Sequence, residues 1–159
     1  VSMTSAASTP ESLQRLDNEP LVSIITPCFN GEHHVGRLIE SVLAQTYPNI
    51  EFILVNDGST DGTNEVVHQL MGRLDEELTR FVYVEQANMG LGGAINAGLL
   101  HVTGEYLCWP DAYDYLEPTS VRLRVEALEA HPDCAVVTSD AFLRAADDPE
   151  KVVGRIGER

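Results

Sequence analysis

The sequence predicts an α/β fold, a mostly parallel sheet sandwiched by helices. Three observations carry that prediction. Short β-branched runs alternate with segments of helical apolar period along most of the chain. One run, residues 50–55, is apolar at nearly every position, as in a strand covered on both faces. Each of the first four runs leads into a polar loop, and such sheets bind ligands beyond the carboxyl ends of their strands.

Residues 1–20, rich in Ser, Thr, Ala and Glu, have no sustained apolar period and read as a flexible leader. Residues 21–26 form the first strand, which Pro27 is expected to stop. Val35, Leu38, Ile39, Val42 and Leu43 then recur at helical spacing, and Tyr47, Pro48 and Asn49 end that helix. The second strand, residues 50–55, is followed by a polar loop at 56–63 and a helical stripe of Val66, Val67, Leu70, Met71 and Leu74. A third strand at 81–84, a glycine-laden helix at 90–101 and a fourth strand at 105–109 follow. Pro118 suits the first turn of a helix reaching about His131, and residues 134–138 read as a fifth strand. Residues 21–145 are thus read as one domain. Residues 146–159 are a charged tail without a clear final element, where a part absent from this chain is expected to begin.

Charge narrows the partners. Ten Lys+Arg face 25 Asp+Glu, a formal net charge of −15. Such a surface argues against nucleic acid and against anionic membranes. It would also repel a nucleotide diphosphate, unless a divalent cation or backbone amides neutralise the ligand locally. No apolar run approaches the ~20 residues of a membrane helix, and the N-terminus lacks a signal-peptide core. Cys28, Cys108 and Cys134 match neither a zinc pattern nor a CxxC pair. Cys108 and Cys134 lie in apolar runs and read as buried thiols, so a reducing, cytoplasmic location is expected.

Four polar loops, at residues 26–30, 56–62, 85–88 and 110–114, fall on one edge of the expected sheet. In the second, Asp57, Ser59, Asp61 and Gly62 hold early positions of an EF-hand loop. The twelfth position, which needs a bidentate Glu, is His68, and a strand precedes the loop, so the calcium reading fails. A strand-to-helix turn with a capping residue accounts for Gly58, Ser59 and Asp61, and less well for Asp57. Residues 90–95 begin like a dinucleotide fingerprint, but Ile95 replaces its third glycine and the loop follows the third strand, which argues against NAD. Close helix packing explains those glycines better. Asp111 and Asp114 suit Mg²⁺ or Mn²⁺ carrying a diphosphate, and suit a helix start equally well. His33 and His34, being adjacent, read as solvated helix surface. A nucleotidyltransferase needs a basic phosphate loop near the first strand, and residues 28–32 contain no Lys or Arg.

Taken together and in order, these stretches resemble inverting family-2 glycosyltransferases of the GT-A, Rossmann-like fold. Residues 22–30 match the opening strand and its P-x-[YF]-N loop. Residues 41–51 match S-x-x-x-Q-[ST]-Y-x-N-x-E, and residues 55–62 match [VI]-[ND]-D-G-S-x-D-G. Residues 88–114 match N-x-G-x-x-x-A-x-N-x-G, then G-E-Y, then the acidic DxD region. The resemblance covers about residues 21–140.

It implies that Pro27, Phe29 and Asn30 wall the nucleotide pocket and that Asp57 accepts a hydrogen bond from the base, typically uracil. Asn88, Gly90 and Asn96 would shape the floor near ribose and diphosphate. Asp111 would be the first Asp of the DxD motif, and Asp111 and Asp114 the ligands of Mn²⁺ or Mg²⁺. The implied donor is a nucleotide-diphosphate sugar, the acceptor a hydroxyl of a glycan, lipid or protein, and the setting polysaccharide or glycoconjugate biosynthesis. Two departures stand out. Tyr113 occupies the place of the second Asp, and a neutral phenol is a poor ligand for a hard cation, so either Asp114 substitutes or metal binding is weakened or lost, which favours a binding module without catalysis as the second reading. The catalytic base is expected in the acceptor half, beyond this chain, so the chain alone is expected to be inactive and to self-associate through the face that half would cover. Asp147 and Asp148 read as a solvated charge run rather than as that base.

Overall fold

A computed structural model describes residues 19–145 and 151–157. Most of the expected leader and the pair Asp147–Asp148 lie outside them. The chain divides into two compact units between Val121 and Arg122.

The first unit is built on four parallel strands in the order β3-β2-β1-β4, with β1 Val22–Cys28, β2 Ile50–Asp57, β3 Arg80–Gln86 and β4 Tyr106–Cys108. Helices α1 (Val35–Leu43), α2 (Thr63–Glu77) and α3 (Gly90–Leu99) make the crossovers that parallel pairing requires. Every residue of β1 and β2 is buried, which is why their sequences show no polar alternation. On one face Ile25, Ile53 and Val55 pack with Ala94 of α3, flanked by Val82, Val84, Ala97 and Val102. Contact there is close: a Cβ on Gly98 would lie 2.6 Å from Ile25 Cγ2. On the other, Phe52 meets Phe81 with ring centroids 5.8 Å apart, and Val35, Leu38, Ile39 and Val42 form the buried stripe of α1.

β1 continues through Pro27, contrary to expectation. β4 pairs with β1 only as far as Ile24, so Pro27 faces no ladder on that side. This strand order also creates a topological switch point, since the chain leaves β1 towards β2 and β3 and returns on its other side as β4. Ligand crevices in open α/β sheets form outside such points.

The amino edge is closed by a buried carboxylate. Glu51 accepts hydrogen bonds from Ser23 Oγ (2.5 Å), Thr103 N (2.6 Å), Thr103 Oγ1 (2.7 Å), Gly104 N (3.0 Å) and Arg80 Nη1 (2.9 Å). Burial alone would push its pKa up; the hydrogen bonds from Ser23, Thr103 and Arg80 prevail and hold it at about 2.

In the second unit, β5 (Ala141–Arg144) and β6 (Val152–Ile156) pair antiparallel, and Arg155 forms an ion pair with Asp140. Helix α4, Ser120–Ala130, begins before the division and runs into this unit. The expected strand at 134–138 does not form. Those residues have no pairing partner among the described residues, and Val136 is 76% exposed. A β-branched run becomes a strand only when a neighbour takes its ladder bonds. Two thiols differ from expectation: Cys134, in the unpaired run, is exposed, and Cys108, on the edge strand β4, is half-buried, whereas Cys28 is the buried one.

Candidate functional site

All four polar loops lie beyond the carboxyl ends of the parallel strands. The loop after β1 is tied to the loop after β2. Asn30 holds a positive φ of 51°, a conformation Asn tolerates better than most residues. There its amide donates to Ser59 Oγ (2.9 Å), while its side-chain oxygen accepts from Thr60 N (2.8 Å). One residue pair further on, the exchange is reciprocal. Glu32 N donates to Asp61 Oδ2, and Gly62 N donates to Glu32 Oε2, both at 3.1 Å. Asp61 also accepts from Thr63 N (3.1 Å) and Thr63 Oγ1 (2.5 Å) at the start of α2. Asp61 is therefore a cap and a loop tie, as the turn reading expected.

Asp57, at the end of β2, behaves differently. It is 3% exposed, and its Oδ1 accepts from Gln86 Nε2 (2.7 Å) and from Met89 N (2.9 Å). Its Oδ2 makes no hydrogen bond among the described residues and is not a buried atom. One oxygen thus anchors the β3–α3 loop and the other is left without a protein hydrogen bond among the described residues. Gln86 was not singled out by sequence, although its register position opposite Asp57 makes it the natural cross-strand partner. Asn56 is a loop support as well: its side chain accepts from Ser59 N and donates to Tyr83 Oη, which donates to Asn64 Oδ1.

The other expected residues are spread around this crevice. Pro27 is buried within β1, and Phe29 is 45% exposed beyond it. Asn88 is exposed, accepts from Gly90 N (3.2 Å), and precedes Gly90 at φ 73°. Asn96 lies on α3, six residues from Gly90 and so roughly 9 Å further along the helix axis. Asp111 and Asp114 are exposed in the loop after β4, joined by a backbone bond from Asp114 N to Asp111 O (3.0 Å). Between them Ala112 is buried, and Tyr113 Oη donates to Phe29 O (3.3 Å). His34, expected to be plain helix surface, is exposed and also meets Tyr113 edge-on at 4.9 Å.

No three His, Cys, Asp or Glu side chains among the described residues gather as a metal cage. Among the described residues, neither the Asp111 nor the Asp114 carboxylate is held by a hydrogen bond. Two bare carboxylates fit a hard cation that completes its shell with phosphate oxygens and water, and do not fit an all-protein site.

The model described as Glycosyl transferase family 2 matches residues 23–152. The chain belongs to glycosyltransferase family 2. It is 36% identical over 116 residues to Glycosyltransferase GlyA of Streptococcus pneumoniae, covering 72% of this chain and 16% of that protein. It is 37% identical over 108 residues to the hyaluronan synthase of Pasteurella multocida, covering 68% and 11%. Among solved structures it resembles S. aureus TarS residues 1–349 in complex with UDP-GlcNAc, with TM-score 0.62, 26% identity, and 70% and 32% of the two chains covered. It also resembles the mannosyltransferase PcManGT of Pyrobaculum calidifontis in complex with GDP-Man and Mn²⁺, with TM-score 0.64, 25% identity, and 83% and 38% covered. The chain spans between 11% and 33% of the length of the curated family-2 relatives it matches. The GT-A assignment of its parallel sheet follows from these structural neighbours.

Proposed function

We propose that residues 21–145 are the nucleotide-sugar-binding half of an inverting hexosyltransferase, and that the donor is a UDP-sugar. The observation that carries this reading is Asp57. It is a nearly buried carboxylate at the carboxyl edge of the sheet, with one oxygen held by Gln86 and Met89 and the other without a protein hydrogen bond among the described residues. Such an acceptor suits the imide N–H of uracil. Phe29, half-exposed just past the end of β1, the strand paired with β2, would offer a face for the base, and Asn88 and Gly90 follow the β3 end that Asp57 anchors. TarS with UDP-GlcNAc supports a uridine donor, and PcManGT with GDP-Man keeps guanosine as the comparison ligand.

Asp111 and Asp114 would hold Mn²⁺ or Mg²⁺ together with the donor diphosphate. When bound, such an ion stabilises charge on a departing diphosphate and offsets the repulsion from a −15 chain. The protein's own part is to orient the sugar so that an acceptor hydroxyl attacks the anomeric carbon from the face opposite the leaving group. The base for that hydroxyl is assigned to the acceptor half, so this chain alone is proposed to be inactive. The acceptor is a glycan, lipid or protein hydroxyl. A cytoplasmic setting belongs to the same reading, supported by three cysteines that form no disulfide among the described residues. Self-association belongs to it too, supported by exposed Phe142, Val153 and Ile156 on the β5–β6 hairpin, and light scattering showing a monomer at high concentration would remove it.

A second reading, a donor-binding module without catalysis, is favoured by one observation. Tyr113 turns its hydroxyl to Phe29 O and stands where the family has an Asp. Calorimetric titration of UDP, UDP-GlcNAc and GDP-Man, with and without Mn²⁺, tests both. Metal-dependent UDP-sugar binding supports the transferase, metal-independent binding supports the module, and no binding rejects both.

A further inference from the structure

The acidic loop does not hang freely between β4 and α4. After Asp114 the chain runs as a strap along one stripe of α1 and its flanks. His34, Arg37, Ser41 and Gln45 recur three, four and four residues apart, so they share a helix face. Tyr113 meets the His34 ring, and the Arg37 guanidinium lies 3.9 Å from the Tyr115 ring centroid. Ser41 Oγ accepts from Leu116 N (3.0 Å) while donating to Leu38 O (2.7 Å). Gln45 uses both ends of its amide: Nε2 donates to Glu117 O (2.9 Å), and Oε1 accepts from Val121 N (3.1 Å). Thr46 N donates to Pro118 O (2.8 Å). At Leu116, Glu117, Pro118 and Val121 it is the strap's backbone that is held, by Ser41, Gln45 and Thr46.

We propose that Ser41 and Gln45 are positioning residues for the donor site. They hold the downstream end of the 109–121 segment and so set where Asp111 and Asp114 stand beside the crevice. They touch no ligand themselves. The upstream end is fixed by β4 and by Ala112, buried within 3.7 Å of where a Cβ on Gly31 would lie. With both ends held, the two carboxylates need little ordering when a metal–diphosphate arrives. Releasing one end adds that ordering entropy to binding.

The donor arm of the test rests on the function proposed above, and a second arm does not. Trp109 is the only tryptophan, two residues before Asp111 and 58% exposed, and it reports on the segment directly. Acrylamide quenching and fluorescence anisotropy of Trp109 are compared in the wild-type chain, Ser41→Ala with Gln45→Ala, and Gln45→Glu. The Glu variant keeps an acceptor for Val121 N and loses the donor to Glu117 O, together with the Nε2 bond to Ser41 O within the helix end (2.9 Å), so it tests the clamp if the double variant unfolds. Quenching is expected to rise and anisotropy to fall in both variants with far-ultraviolet circular dichroism unchanged. Mn²⁺-dependent UDP-GlcNAc affinity should drop about tenfold in the double variant, the equivalent of one to two net hydrogen bonds. Metal-free UDP affinity, which rests on Asp57, should hold. Unchanged Trp109 behaviour in folded variants overturns the proposal. Altered Trp109 behaviour in a chain that binds no nucleotide supports the clamp and instead removes the donor-site reading.

Discussion

Gly58 and Asn88 stand against each other across the carboxyl edge of the sheet, so close that a Cβ on Gly58 would lie 2.7 Å from Asn88 N. Gly58 also holds φ at 73°. Two separate constraints, backbone conformation and space, therefore demand glycine there. Gly90 has the same φ but nothing within 4 Å of a Cβ. Gly90→Ala should cost about 1 kcal/mol from conformation alone, and Gly58→Ala roughly 2–4 kcal/mol because backbone must also move. Urea denaturation of the two variants measures the difference; equal losses would show that the contact to Asn88 N is unimportant.

Glu51 makes stability depend on acid. Its pKa falls from 4.5 to about 2 on folding, so the folded state binds fewer protons than the unfolded state between those values. The stabilisation is fully present above about pH 4.5 and is lost as pH drops towards 2, on the order of 3 kcal/mol in all. Glu51→Gln should flatten that stretch of the stability–pH curve. It should also destabilise the chain near neutrality by roughly 3–5 kcal/mol, since Arg80 and the Thr103 and Gly104 amides lose a charged acceptor.

Asp57→Asn separates the two oxygens of that carboxylate. The amide oxygen can still accept from Met89 N, so the melting temperature should move little. The charge that suits the base is gone, and UDP affinity should fall about tenfold with or without Mn²⁺. An unchanged affinity would place the base elsewhere.

Tyr113→Asp restores a carboxylate to the acidic loop and removes the bond to Phe29 O. Metal-dependent UDP-GlcNAc binding is expected to tighten at limiting Mn²⁺, read by calorimetry. No gain would mean that Asp111 and Asp114 already suffice, or that the loop loses in order what it gains in charge; Trp109 anisotropy distinguishes the two.

The three cysteines should react in an order set by exposure. Burial pushes the Cys28 thiol up to about 11, with Asp61 adding to the shift and the Gly31 amide opposing it. At pH 8, Cys134 should label with a thiol reagent within minutes and Cys28 only on unfolding. Rapid labelling of all three in the folded chain would contradict the packing around β1.

Much of the fold was legible in the residues because the signals are local. Short apolar, β-branched runs and period-3.6 stripes placed four strands and four helices, and each polar loop could be assigned to the same sheet edge from strand direction alone. Asp57 stood out because no local turn requirement explained it, and the tertiary structure supplies Gln86 and Met89 as its partners. What local pattern could not decide was pairing. Residues 134–138 have strand composition and no neighbour, while Pro27 sits inside a strand because β4 stops short of it. Glu51 looks like a polar interruption of an apolar run, and only Arg80 and Thr103, 29 and 52 residues away, make it a buried anchor. The roles of Ser41 and Gln45 are settled by backbone groups 72 to 76 residues further on. Sequence by itself determined the alternation, the core and the edge on which the site lies, because side-chain period and turn chemistry act within a few residues. The tertiary structure alone decided which carboxylate is an anchor, which is a loop tie and which keeps an oxygen without a protein partner among the described residues, because each depends on donors brought from distant strands.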